Sequence, residues 1–221
     1  MTGKAFTYWL LAFVVSSLSY VVIRTFTNLP FEWLPKIIPI ALLMLLVKKS
    51  LQGRTQSLML AALSCSLAGD VLLSLHGLFI AGLGAFLLAH MLYTALFITQ
   101  FKASKNGVAW LSLVALYTLL MGYFILPHAQ DLTLVVSIYL LVIASMAVCA
   151  GFRDDRQFLW VALGALIFMV SDSLIAINKF VEPFALAGPF IMLTYYLAQL
   201  MITLGIIRHH RLQHPPAMTN P

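Results

Sequence analysis

Residues 57–75, SLMLAALSCSLAGDVLLSL, read as a membrane span holding one residue foreign to hydrocarbon, Asp70. The run is long enough to cross a bilayer core of about 30 Å as a helix. Residues 158–177, FLWVALGALIFMVSDSLIAI, repeat the pattern around Asp172. A carboxylate at a helix centre costs roughly 2.5–3.5 kcal/mol on insertion scales. A chain that keeps two, in two similarly written spans, has a use for them.

The rest of the chain matches that solvent. It is 62% hydrophobic and 9% charged over 221 residues, with mean hydropathy +0.99, whereas soluble domains are roughly 45–50% apolar and 25% charged. Hydropathy predicts an all-α polytopic membrane protein, a bundle of about eight transmembrane helices at 6–23, 34–47, 57–75, 78–100, 108–126, 133–150, 158–177 and 184–207. The second is the weakest, being short and carrying Pro35 and Pro39. Residues 1–207 form a single transmembrane domain, and 208–221 a short basic, Pro-containing tail. The joints are short and polar, and Leu75-His76-Gly77-Leu78 is tight enough to force an antiparallel hairpin. Cys65 and Cys149 sit in apolar runs at different depths with no CxxC, so packing is their default role.

Lys and Arg set the orientation. With the N-terminus inside, Lys4, Lys48, Lys49, Arg54, Lys102, Lys105, Arg153, Arg156, Arg208 and Arg211 fall on the inner side, and Arg24, Lys36 and Lys179 on the outer. The net charge of +6 is thus topology signal and anionic-lipid contact, with no nucleic-acid partner. A signal-peptide reading of the first span is disfavoured, because an even span count fits the charges at both ends. Both termini are then cytoplasmic, and the lack of an N-x-Ser/Thr sequon suits a bacterial inner membrane.

Depth follows from topology. Asp70 and Asp172 each lie five residues before the outer end of their span, about 8 Å down at 1.5 Å per residue. Lys36 enters from the same side, and Lys179, seven residues after Asp172, falls on its face two turns nearer the surface. With Arg24 and Glu32 in the first outer loop, these residues converge on one outer-leaflet pocket. Plainer readings stand beside this one. Asp70, with Ser66 and Ser74 four residues either side, could be helix-packing glue, and Lys36 could simply snorkel to the interface. His90, deep in the fourth span, reads first as a packing histidine paired with Tyr93. If Gly188-Pro189 opens the last helix, Tyr196 falls near the level of the aspartates, with Tyr195 and Gln199 on the same helix. Arg153-Asp154-Asp155-Arg156 reads as a solvated inner turn.

LAGDVLL (67–73) and MVSDSLI (169–175) align aspartate on aspartate, 102 residues apart, suggesting two parallel halves of four spans. His90 is the only histidine within a span, too few for a catalytic zinc site. Neither a GxSxG elbow nor a Gly-rich phosphate loop is readable. Paired-carboxylate acid–base chemistry remains, with basic residues able to hold an anionic head group.

Lys36 with Pro39, SLAGDVLL around Asp70, AFLLAHMLY around His90 and Tyr93, VSDSLIAINKF around Asp172, and LTYYLAQLMI on the last span together resemble the YhhN-type lysoplasmalogenase family. The likeness runs in order over most of the chain. It implies a multi-pass membrane hydrolase that cleaves the vinyl ether of a lysophospholipid, releasing a fatty aldehyde and a glycerophospho-base. No cofactor is expected, and the few His and Cys of the spans leave no metal site. The implied partners are that substrate and membrane lipids.

Vinyl ether hydrolysis needs one acid to protonate the enol-ether carbon, and one carboxylate to steady the oxocarbenium ion and deprotonate water. Glycosidases divide two carboxyls in this way. The expected catalytic pair is Asp172 as acid and Asp70 as base. The expected substrate-binding set is Lys36, His90, Tyr93, Asn178, Lys179, Tyr195, Tyr196 and Gln199, the lysines on phosphate, Tyr196 and Gln199 on glycerol or water. Two other classes stay open: a transporter or flippase with the aspartates as a proton relay, and a structural role in assembly.

Overall fold

The computed structural model describes residues 3–27, 31–102, 105–153 and 158–213. Over them the chain forms eight long helices: α1 (Gly3–Phe26), α2 (Trp33–Ser50), α3 (Gly53–Leu73), α4 (Phe79–Ile98), α5 (Lys105–Ile125), α6 (Thr133–Gly151), α7 (Phe158–Ala176) and α8 (Ala187–Gln213). Seven are long and apolar enough to cross a membrane. The eighth is α2, 18 residues that carry Lys36, Lys48 and Lys49 and enclose Pro39. Every expected span lies on a helix. The largest difference is at the end of α8, which runs on through Arg208 and Arg211, so the expected tail begins as helix; residues 214–221, with His214, lie outside the described residues.

In lipid the apolar side chains gain nothing by hiding from water, so helices associate through close packing at small residues. The two tightest hairpins use glycine for this. A Cβ on Gly69 of α3 would stand 2.5 Å from the Phe86 ring of α4, and one on Gly82 of α4 2.7 Å from Leu73. Between α7 and α8, Gly164 would meet Ile202 at 2.9 Å and Gly205 would meet Val161 at 2.7 Å. These are the same hairpins whose sequences align aspartate on aspartate. Helix α8 is the most buried helix, lying against α1, α2 and α7, while α5 packs mainly on α6. Helix α1 is tied in by Trp9, whose Nε1 donates to the Leu42 carbonyl at 3.1 Å. The outward faces are apolar, Tyr123 being 85% and Leu134 71% exposed, the pattern of a surface solvated by lipid.

Two local features differ from the expected reading. Helix α7 ends in a π-helical turn, Ile177–Val181, closed by an i→i+5 bond from Glu182 N to the Ile177 carbonyl at 3.0 Å. The Arg153 end of the inner turn is buried, not solvated. Its guanidinium lies 5.7 Å from the centre of the Phe97 ring, where an apolar stem and a delocalised cation both find a partner. Asp154, Asp155 and Arg156 lie outside the described residues.

Candidate functional site

The polar stripe Ser66-Asp70-Ser74 of α3 faces the bundle interior, and Asp70 is 2% exposed. Each of its oxygens has a partner. Lys36 Nζ lies 3.4 Å from Oδ1 and donates to the Asp70 carbonyl at 3.2 Å. Tyr195 Oη donates to Oδ2 at 2.8 Å, and Ser74 Oγ donates to the same carbonyl at 3.0 Å. A buried carboxylate needs a counter-charge and hydrogen bonds to remain charged, and Asp70 has both. Lys36, itself 8% exposed, is therefore no snorkelling lysine. Its ammonium turns inward because α2 crosses α3 at this level.

Asp172 on α7 is held differently. Its Oδ2 accepts from Tyr139 Oη of α6, and His90 Nε2 of α4 lies 3.5 Å away. Among the described residues neither Lys nor Arg pairs with it. The His90 ring is fully buried, edge-on to Tyr139 at 5.4 Å and to Phe168 at 4.8 Å. Neither of its nitrogens makes a hydrogen bond among the described residues. The sequence suggested a packing histidine below the aspartates. It stands beside Asp172 instead, because α4 packs on α6 and brings the His90 ring against Tyr139, whose hydroxyl holds the same carboxyl.

Both aspartates line one cavity of about 280 Å³, with Lys36, Arg24, Ser171, Asn178 and Tyr195 as its other polar walls and Phe86, Ile175 and Met192 among the apolar ones. Arg24 sits at the end of α1, paired with Glu32 at 2.5 Å. Asn178 Oδ1 accepts from the Phe184 N–H at 3.2 Å, closing the loop before α8.

The remaining expected residues stand elsewhere. Lys179 is exposed, its Nζ 5.1 Å from the centre of the Phe79 ring, and it does not line the cavity. The face it was expected to share with Asp172 assumes 3.6 residues per turn throughout, and the wider π turn rotates Lys179 off it. Tyr196 Oη donates to the Lys36 carbonyl at 2.7 Å and its ring meets Phe13 and Tyr20 edge-on, so it fastens α8 to α2 and α1. Tyr93 Oη donates to Gln199 Oε1 at 2.6 Å, and Gln199 Nε2 donates to Ser66 Oγ at 3.0 Å. This fully buried chain ties α4, α8 and α3 together one turn from Asp70, away from the cavity lining.

Tyr139 is the residue the sequence reading passed over. Its signal was there: a tyrosine six residues into an otherwise apolar span, displaced from the interface where tyrosines gather. A phenol at that depth needs a partner, and Asp172 supplies it. The arrangement offers a carboxylate fixed beside a cation and a second carboxyl with a phenol and an imidazole but no fixed cation, both opening on one cavity.

The YhhN family model matches residues 31–206, from α2 through most of α8. A human protein named Lysoplasmalogenase TMEM86B is 36% identical over 157 residues, covering 71% of this chain and 66% of its own length. A Mycobacterium bovis protein named Lysoplasmalogenase is 34% identical over 164 residues, covering 69% of this chain and 61% of its own. The chain thus spans a little less than two thirds of these two relatives. The rat protein named Lysoplasmalogenase TMEM86B is 30% identical over 205 residues, 90% of this chain and 84% of its own. No solved structure matches the chain. With both aspartates, their partners on α2, α4, α6 and α8, and every wall of the cavity but Arg24 inside the matched region, the chain belongs to the YhhN family.

Proposed function

We propose that this protein hydrolyses the vinyl ether bond of a lysoplasmalogen-type lysophospholipid, using Asp172 as the acid and Asp70 as the base. The relatives' names supply the reaction; the observation that carries the roles is the unequal environment of the two carboxyls on one cavity. Lys36 stands beside Asp70 only, which favours an anion there. Asp172, without a fixed cation, suits the protonated form required of an acid.

The steps balance as follows. Asp172 gives its proton to the enol-ether carbon two bonds from the oxygen, and the neighbouring carbon becomes an oxocarbenium ion. The Asp70 carboxylate steadies that cation and takes a proton from water as the water oxygen bonds to it, forming a hemiacetal. Asp70 then returns its proton to the glycerol oxygen as the C–O bond breaks, and the hemiacetal hydroxyl gives its proton to Asp172. The products are a fatty aldehyde and a glycerophospho-base, one water is consumed, and both aspartates regain their starting states. Lys36 sets the charge of Asp70 in this scheme, and Arg24 at the rim is better placed to meet the phosphate. General acid–base catalysis of this kind contributes about 10²–10⁴-fold per group.

The working arrangement is a single transmembrane domain with a short basic tail, set in a bacterial inner membrane with both ends cytoplasmic and the cavity toward the outer leaflet. The ten-to-three division of basic residues supports that orientation. Aldehyde release by purified protein in detergent, across a small lysolipid panel, tests the reaction. Absence of aldehyde from every vinyl ether lysolipid would sink it, and transport that needs a sealed bilayer would favour a proton-coupled carrier built on the same aspartates. Reporter fusions placing either terminus outside would reverse the orientation.

A further inference from the structure

The polar cavity is not the only space that reaches Asp172. Adjoining it, with Leu73, Phe86 and Ile175 as shared walls besides Asp172, a crevice of about 40 Å³ is walled by Leu83 of α4, Val136 of α6, Ala176 of α7, and Phe79 and Phe180. A second crevice of about 40 Å³ continues past Val136, Tyr139 and Ala176 toward Ile143 and Met169. Both are lined almost wholly by hydrocarbon, and Asp172 and Tyr139 are their polar members apart from Ser173 in the second. Asp70 lines the polar cavity and neither crevice. Asp172 therefore stands in the partition between a polar chamber and an apolar one.

The crevices also follow a seam in the packing. Ile125, Ala129 and Val136 form a small apolar cluster separate from the main core, with Ala176, Phe180 and Val181 packed against it. Two clusters that meet across a seam part more readily than one interlocked core, whose close packing resists insertion. The Phe79–Phe180 edge-on pair, 5.9 Å between centroids, with Lys179 over Phe79, closes the outer end of that seam.

We infer that the apolar seam between α4, α6 and α7 is the binding site for the hydrocarbon chain of the lysolipid, entered past the Phe79–Phe180 pair. This rests on the proposed hydrolysis and goes beyond it by fixing which way the substrate lies. The carbon to be protonated is the one on the chain side of the vinyl ether; the carbon that becomes cationic is bonded to the glycerol oxygen. A chain in the seam and a head group in the polar cavity put the first carbon at Asp172 and the second facing Asp70. The reversed substrate would present the wrong carbon to each carboxyl. The same residues make the seam the determinant of chain length.

The test uses a 1-O-alkyl lysophospholipid, a saturated ether that has no vinyl bond, with a photoreactive diazirine at the chain end. After irradiation with the intact protein in detergent, labelled peptides should map to the facing walls of α4, α6 and α7 that carry Leu83, Val136 and Ile175. Labelling concentrated instead on the exposed groove between α5 and α6, at Leu111 and Leu141, would overturn the assignment. Ala176→Phe should fill the seam. Each methylene excluded weakens binding about fourfold, so loss of two lowers labelling on the order of tenfold. Leu119→Phe on the exposed face of α5 should leave labelling unchanged. If Ala176→Phe does not fold, Leu83→Ala widens the same space and should move the preferred chain length upward; no movement would refute the site. Because the probe is not cleaved, the two readings fail separately. Seam labelling without aldehyde release from vinyl ethers sinks the hydrolase and keeps the site, and aldehyde release without seam labelling does the reverse.

Discussion

Lys36→Met keeps the aliphatic stem of the lysine and removes its charge, leaving Asp70 as a buried carboxylate without a cation. The ammonium lies 3.4 Å from Oδ1. At an effective dielectric of about 20 the gross attraction at such a distance is roughly 5 kcal/mol. Deleting one partner of a buried pair costs about 3–5 kcal/mol, and at about 2–4 °C per kcal/mol for a chain of this size the midpoint should fall by roughly 6–20 °C. Asp70→Asn leaves the ammonium its bonds to the Asp70 carbonyl and Ser74 Oγ, so its loss should be smaller. The double variant, with both charges gone, should recover much of the Lys36→Met loss. Thermal unfolding of the four proteins in one detergent gives the coupling directly. Losses that add to within about 0.5 kcal/mol would refute a structural Lys36–Asp70 pair. Turnover supplies an independent check: a lysine that only gripped phosphate would raise KM, whereas one that sets the state of the base should lower kcat.

Asp172→Asn removes no partner of a cation, so it should unfold near the wild-type temperature while losing about 10²–10⁴-fold in kcat, and adding Asp70→Asn should cost hardly more, since paired groups act as a unit. A rate above roughly a tenth of wild type for both single variants would make the carboxylates structural. Tyr139→Phe deletes the donor to Asp172, a bond that becomes charge-assisted only as the acid gives up its proton; at about 1.5–3 kcal/mol its loss should lower kcat by roughly 10- to 10²-fold with little change in KM, and unchanged kcat would remove Tyr139 from the mechanism. Activity should survive thorough chelation, and loss with EDTA that a divalent ion restores would make the aspartates ligands.

The helices and the two aspartates are legible in the sequence because both follow from one-dimensional chemistry. An apolar run of bilayer length declares a span wherever it packs, and a carboxylate inside it stands out by its transfer cost. Positive charge at the joints likewise announces an orientation without contacts. Periodicity even placed Ser66, Asp70 and Ser74 on one face, because α3 is regular there. What surrounds each aspartate was decided only in three dimensions. Lys36 and Asp70 are 34 positions apart, Tyr195 and Asp70 are 125 apart, and no local pattern links them. Tyr195 and Tyr196 differ by a single step, about 100° around the helix, and that rotation sends one hydroxyl to Asp70 and the other to a backbone carbonyl on α2. The face of Lys179 is beyond local pattern for the same reason, since one π-helical turn breaks the 3.6-residue count by which a sequence projects it. Sequence determines which residues a membrane helix must hide; the rotation and crossing of the helices determine what they are hidden against.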